Sequence, residues 1–284
     1  MASTPTATAS RPASRAPRFA FSFVLAMLML AIVALLVIAV PFWPGFDPIK
    51  QNLLFAQEPA LRNAAYPLGT DALGRDMLSR LSMATRVSVL IAGGAVLISA
   101  CLGLTIGLLA GWLRGPIDSV LMAMGNIQLS IPVVLLLIVL VASLGSHPVL
   151  LVVLLGLTNW VGYGRVVRAQ VMSLREREFI TAVTTAGGSG WWIMSRHLLP
   201  NVLPSVFVLA AFDIGVIITI ESSLSFIGLG IQPPTPSLGL MISEGQRYLQ
   251  THPFLTVFPA IAIFLLIGGI QFASQALTTR RTRG

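Results

Sequence analysis

Residues Glu178 to Pro200 read EFITAVTTAGGSGWWIMSRHLLP and interrupt a chain made mostly of long apolar runs. Four successive charges, Arg175, Glu176, Arg177 and Glu178, open the stretch. Phe179, Ala182, Val183 and Ala186 then recur at helical spacing, which predicts a short helix with one apolar face of mostly small residues. Gly187, Gly188 and Gly190 end it, because glycine has poor helix propensity and permits positive φ. Ser189 is placed to cap a second helix carrying Trp191, Trp192, Ile193 and Met194. Pro200 and Pro204 follow as the next apolar run begins. Two short helices hinged on glycine and flanked by Arg suit a cytoplasmic membrane surface. The small-residue face allows another protein to approach closely. The same pattern also describes an interfacial hairpin anchored by Trp, with no partner.

Around this stretch the composition is that of an integral membrane protein. Of 284 residues, 55% are hydrophobic and only 10% charged, where soluble proteins carry about a quarter. The net charge of +8 is spread over the ends of apolar runs, a pattern of headgroup contact and topology rather than nucleic-acid binding. The single cysteine, Cys101, excludes an intrachain disulfide.

Six helical spans are expected, in an all-α membrane fold. Residues 1–18 read as a disordered basic leader. Residues 19–40 form a first span, whose apolar run is too long for a cleaved signal and lacks a small-x-small site before Pro41. Residues 41–85 form an external loop of nearly balanced charge, and 86–284 a five-helix core. Within that core the spans cover about 87–113, 119–145 with a kink at Pro132, 149–163, 202–228 and 254–276. Arg165 and Arg168 are placed to snorkel at the end of the fourth. Both termini then share a face with Arg11, Arg15, Arg18, Arg114, Arg165, Arg168, Arg175, Arg177, Arg196, Arg280, Arg281 and Arg283. This is most of the 18 basic residues, and the positive-inside bias makes that face cytoplasmic.

Ser99, Gly103, Gly107 and Gly111 recur every fourth residue, a stripe that lets helix backbones pack closely. Asp213 and Glu221 are acids within the fifth span. An ionisable group is costly in hydrocarbon, so each lines a solute path or sits in structural hydrogen bonds. Path-lining is the reading preferred for Glu221, and hydrogen bonding for Asp213.

The opening stretch resembles the EAA loop of ABC importer permeases, E-A-A-x3-G-x9-I-x-L-P. Thr181, Ala182 and Val183 take the E-A-A positions, Gly187 the glycine, His197 the isoleucine, and Leu199 and Pro200 the ending. Thr181, Val183 and His197 depart from that pattern. Glu178, Ala182, Gly187, Ser189, Arg196, His197, Leu199, Pro200 and Asn201 together are more similar to the dipeptide/oligopeptide/nickel branch. Gly69 to Asp76, GTDALGRD, resembles the G-T-D-x-x-G-R-D box of the same branch. Ser223 to Glu244 resembles its L-S-F-x-G-L-G-x-Q-P-P-x-P-S-x-G signature. On these three boxes the chain resembles the second, C-type permease of such importers.

The resemblance implies a type I importer permease fold with six transmembrane helices in the plasma (inner) membrane. Its loop 175–200 would dock on an ATPase through Glu178, Ala182, Val183, Ala186, Gly187, Ser189, Arg196, His197, Leu199 and Pro200. It also implies a homologous permease partner, two ABC ATPase subunits that carry ATP and Mg, and an external solute-binding protein. Peptide is the expected solute, with nickel or another small solute as the alternative. No catalytic or metal site is expected in this chain. Its only lysine, Lys50, cannot complete a phosphate-binding G-x-x-x-x-G-K-[ST] loop. His147, His197 and His252 are scattered. Two rival readings are an ion-coupled transporter, which calls for an internal repeat, and a rhomboid-like protease built on Gly187-Gly188-Ser189-Gly190, which needs a histidine base within the membrane.

Overall fold

The computed structural model describes residues 16–281, with side chains from 22 to 275. Most of the basic leader (1–15) and Arg283 lie outside the described residues. Among the described residues the chain folds into eleven α-helices. They are α1 (Ala16–Ile38), α2 (Met77–Leu113), α3 (Gly115–Leu129), α4 (Val133–Leu144), α5 (Pro148–Thr158), α6 (Trp160–Arg175), α7 (Glu178–Thr185), α8 (Gly190–Ile193), α9 (Leu199–Phe226), α10 (Leu238–Gln246) and α11 (Phe254–Arg281). Five helical stretches are long and apolar enough to cross a membrane, and α3 with α4 makes a sixth if the bent pair is one span.

Helix α2 is the axis of the molecule, packing on α6, α5, α9 and α3, while α1 lies along α11. Three apolar clusters follow α2 from end to end. Met77, Leu81 and Ala84 pack with Leu238, Met241 and Leu255 at its start. Ile91, Ala92 and Ala95 pack with Leu151, Leu155, Ile217 and Leu266 in the middle. Tyr163, Val167, Val171, Ile180, Ile193 and Leu198 gather near its far end.

Several expected boundaries move, each for a local reason. Helix α1 takes in residues 16–18, which had been assigned to the leader. Helix α2 begins at Met77, inside the segment expected as external loop. The Asp76 carboxylate starts it by accepting hydrogen bonds from the N–H groups of Leu78 and Ser79 at 3.3 and 2.8 Å. The third span is broken, not merely kinked. Pro132 precedes α4, and the axes of α3 and α4 meet at 81°. The fourth span continues to Arg175, so Arg165 and Arg168 lie within a helix and not at its end, and both have partners on α3. Arg165 donates to Asn126 at 2.7 Å, and Arg168 grips Asp118 with two bonds of 2.5 and 2.6 Å.

The stretch after Ser189 is not a separate short helix. Gly190–Phe226 runs on as one helix of 37 residues. Pro200 lacks an N–H, and its ring would crowd the carbonyl four residues back. A π-helical turn over Met194–Leu198 lies just before it and takes up the mismatch without ending the helix.

Candidate functional site

Helix α7 shows its two sides clearly. Ile180 and Val183 turn inward to the cluster that holds Ile193 and Leu198. Phe179, Ala182 and Ala186 are exposed, so Val183 leaves the face it was expected to share. Exposed Glu178 lies in the first turn, where the helix dipole favours a negative charge.

The C-terminus of α7 closes with the Gly188 N–H donating to the Val183 carbonyl at 3.0 Å and the Gly187 N–H to that of Thr184 at 3.1 Å. This pairing places Gly187 at φ +86°, a conformation glycine adopts without penalty. A Cβ on Gly187 would meet nothing within 4 Å. Glycine is therefore needed there for its backbone, not for space. Gly190 is the opposite case, since a Cβ on it would stand 2.8 Å from Trp112 Nε1. The Ser189 hydroxyl caps α8 by accepting from the Trp192 N–H at 3.3 Å.

Trp112, at the end of α2, is the seat of this loop. The Arg175 guanidinium lies 5.1 Å from the Trp112 ring centroid, and its Nη1 donates to the Trp112 carbonyl at 2.5 Å. His197 is half-buried, with its ring edge-on to Trp192 at 4.9 Å. Its Nε2 is buried without a hydrogen bond. Leu199 is half-buried, while Arg196 and Pro200 are exposed.

Along α2, the small-residue stripe lies against α5 and α6. Ser99 donates to the Gly156 carbonyl at 2.9 Å. A Cβ on Gly103 would fall 2.6 Å from the Trp160 carbonyl, one on Gly107 2.7 Å from that of Gly164, and one on Gly111 2.7 Å from Val171 Cβ.

The two membrane acids differ in burial. Glu221 is fully buried inside a set of serines. Ser88 from α2 donates to it at 2.9 Å, Ser225 at 2.8 Å and Ser222 at 3.4 Å. Ser225 in turn accepts from the Ile231 N–H at 3.1 Å. Glu221 thus faces the interior of this chain, fastens α9 to α2 and, through Ser225, reaches the loop before α10. Asp213 is only half-buried. The buried Tyr163 hydroxyl approaches it without forming a hydrogen bond of regular geometry.

At the other end of α2, the GTDALGRD box folds into a buried ion cluster. Arg75 Nε meets Asp71 at 2.5 Å and its Nη2 meets Glu244 at 3.2 Å. Arg80 pairs with Asp71 and, at 2.8 Å, with Glu244. The box is thereby bound to α10.

A family profile described as "Binding-protein-dependent transport system inner membrane component" matches residues 103–284. The chain belongs to this ABC importer permease family. The nickel transport system permease protein NikC of Escherichia coli strain K12 is 34% identical over 253 residues, 89% of this permease and 91% of that protein. The oligopeptide transport system permease protein OppC of the same strain is 36% identical over 255 residues, 89% and 84% of the two chains. The dipeptide transport system permease protein DppC of Lactococcus lactis subsp. cremoris strain MG1363 is 36% identical over 230 residues, 80% and 67%. The permease is thus a multi-pass inner-membrane transport component. Its sequence reading missed Trp112 as the seat of the loop, and the cluster of Asp71, Arg75, Arg80 and Glu244. Both join residues far apart in the chain, which periodicity and local motifs do not connect.

Proposed function

We propose that this permease is one of two homologous membrane subunits of an ATP-driven peptide importer. Two ATPase subunits with bound ATP and Mg sit beneath it, and a solute-binding protein delivers solute from outside. The carrying observation is the α7–Gly187–α8 turn. It exposes Ala182 and Ala186 as a close-approach face, while its inner side is anchored by Ile180, Ile193 and Leu198. A face of that kind suits a cleft on another protein. Arg175, Arg177 and Arg196 flank it in sequence, and Arg114 pairs with Glu176 at 3.0 Å just before it, which supports a cytoplasmic location for this end and for both termini. Closure of the ATPases then displaces α7 and, through Trp112 and the continuous α8–α9 helix, switches the access of the pathway.

Peptide is the solute named for the oligopeptide and dipeptide relatives above. Nickel is the second reading, favoured by the similarity to NikC over 89% of the chain.

The test is Gly187→Val. A β-branched side chain resists positive φ, at about 1–3 kcal/mol of local strain, yet its Cβ meets nothing within 4 Å. The variant is expected to remain folded in the membrane, to lose ATPase co-purification and to uncouple ATP hydrolysis from uptake in liposomes. Ala182→Trp, which obstructs the same face without altering the turn, is expected to do likewise. Normal co-purification, uptake and hydrolysis in both variants would reduce the loop to an interfacial hairpin.

A further inference from the structure

A cavity of about 350 Å³ opens between the GTDALGRD box and α10. Its polar wall holds Arg75, Arg80, Asp71 and Glu244, with Arg247 among the lining residues, and Met77, Met241 and Leu255 supply an apolar wall. Both carboxylates are already engaged by Arg75 and Arg80. Arg247 is exposed and makes no ion pair among the described residues. Three arginines therefore line a cavity that holds two carboxylates, a surplus of one positive charge. Arg80 Nε is also buried without an acceptor, so the cluster has more donors than its own acids satisfy.

The charge decides the class of ligand. A divalent cation is repelled by the surplus and finds both carboxylates occupied. One added carboxylate neutralises it, and a guanidinium recognises a carboxylate through paired, directional hydrogen bonds. The apolar wall beside it is suited to an uncharged side chain. The volume is at the lower end of the range for small-molecule sites. Glu244, whose side chain is 34% exposed, is the most accessible member of the cluster, so an arriving carboxylate meets Arg247 and the Glu244 end before the deeper pair.

We infer that this cavity receives the free carboxylate end of a short peptide, with Arg247 as its first ion partner. The inference rests on the peptide reading above and adds a solute contact on the permease itself, separate from the solute-binding protein. It also places that contact at the end of α2 remote from the ATPase loop.

The experiment uses the complete permease–ATPase complex in nanodiscs, without its solute-binding protein. The probes are radiolabelled trialanine and its C-terminal amide. Trialanine is expected to bind about fivefold more tightly than the amide, the size of one partly exposed ion pair. Arg247→Gln should erase that difference, and Arg247→Lys should retain most of it. Arg247 is exposed, so neither variant disturbs packing. Equal binding of acid and amide by the unaltered complex, no binding of either, or a difference that survives Arg247→Gln would each overturn the inference. A parallel assay of ATP-driven trialanine uptake, with the binding protein present, separates the two readings. Uptake without a carboxylate preference in the nanodisc assay rejects the cavity alone, whereas no uptake of peptide at all rejects the peptide reading.

Discussion

At the scale of single residues, Glu221 shows how a buried charge can be read correctly as costly while its partners stay hidden. Its cost in hydrocarbon is legible in sequence, because an acid inside an apolar run needs a partner. The partner is not legible. Ser88 lies on another helix, and Ser222 and Ser225 look like ordinary polar positions of the same span until the fold turns them onto the carboxylate. Glu221→Ala would leave those hydroxyls without their acceptor, at a cost of about 1–3 kcal/mol. Glu221→Gln keeps an acceptor of similar shape. We expect the Ala variant to lower the midpoint of thermal unfolding in detergent by several degrees and the Gln variant to recover most of the loss. Transport per folded molecule should stay near normal in both. A stable Ala variant with impaired transport would instead support the path-lining reading of Glu221.

At the scale of elements, the run of small residues on α2 distinguishes two kinds of glycine. A Cβ on Gly93 would meet nothing within 4 Å, whereas one on Gly107 would stand 2.7 Å from the Gly164 carbonyl. Gly93→Ala should therefore stabilise α2 by up to about 1 kcal/mol through helix propensity. Gly107→Ala should destabilise the permease by about 1–3 kcal/mol by forcing α6 away. Paired thermal melts of the two variants check this, with opposite signs expected. A period of four names the face of α2, but only the fold names α6 as what lies against it. Helix ends were the least legible feature. The start of α2 depends on Asp76 acting as a cap, and the continuity of α8 with α9 on a π-helical turn ahead of Pro200. Neither is visible in hydropathy, which reports where a helix is apolar and not where it begins.

For the whole molecule, the all-helical membrane fold was legible because long apolar runs admit few other structures in lipid. The break between α3 and α4 was read only as a kink at Pro132, since composition does not reveal an 81° bend. Topology is open to a direct check in a cysteine-free background carrying Cys101→Ala. Leu54→Cys, at a residue that is 92% exposed, should react with an impermeant thiol reagent added from outside. Ala186→Cys should be protected until the membrane is opened, and the reverse pattern would invert the orientation. Two stretches of this permease, α2 and the joined α8–α9, each run for 37 residues, about 55 Å at 1.5 Å per residue. The hydrocarbon they cross is only about 30 Å thick. Each is therefore longer than the hydrocarbon is thick, and α2 carries Trp112 at one end and the ion cluster at the other. If such a helix pivots by about 5°, geometry moves its far tip by about 5 Å relative to the near one. No hinge is required: a small push at one end becomes a displacement of atomic dimensions at the other.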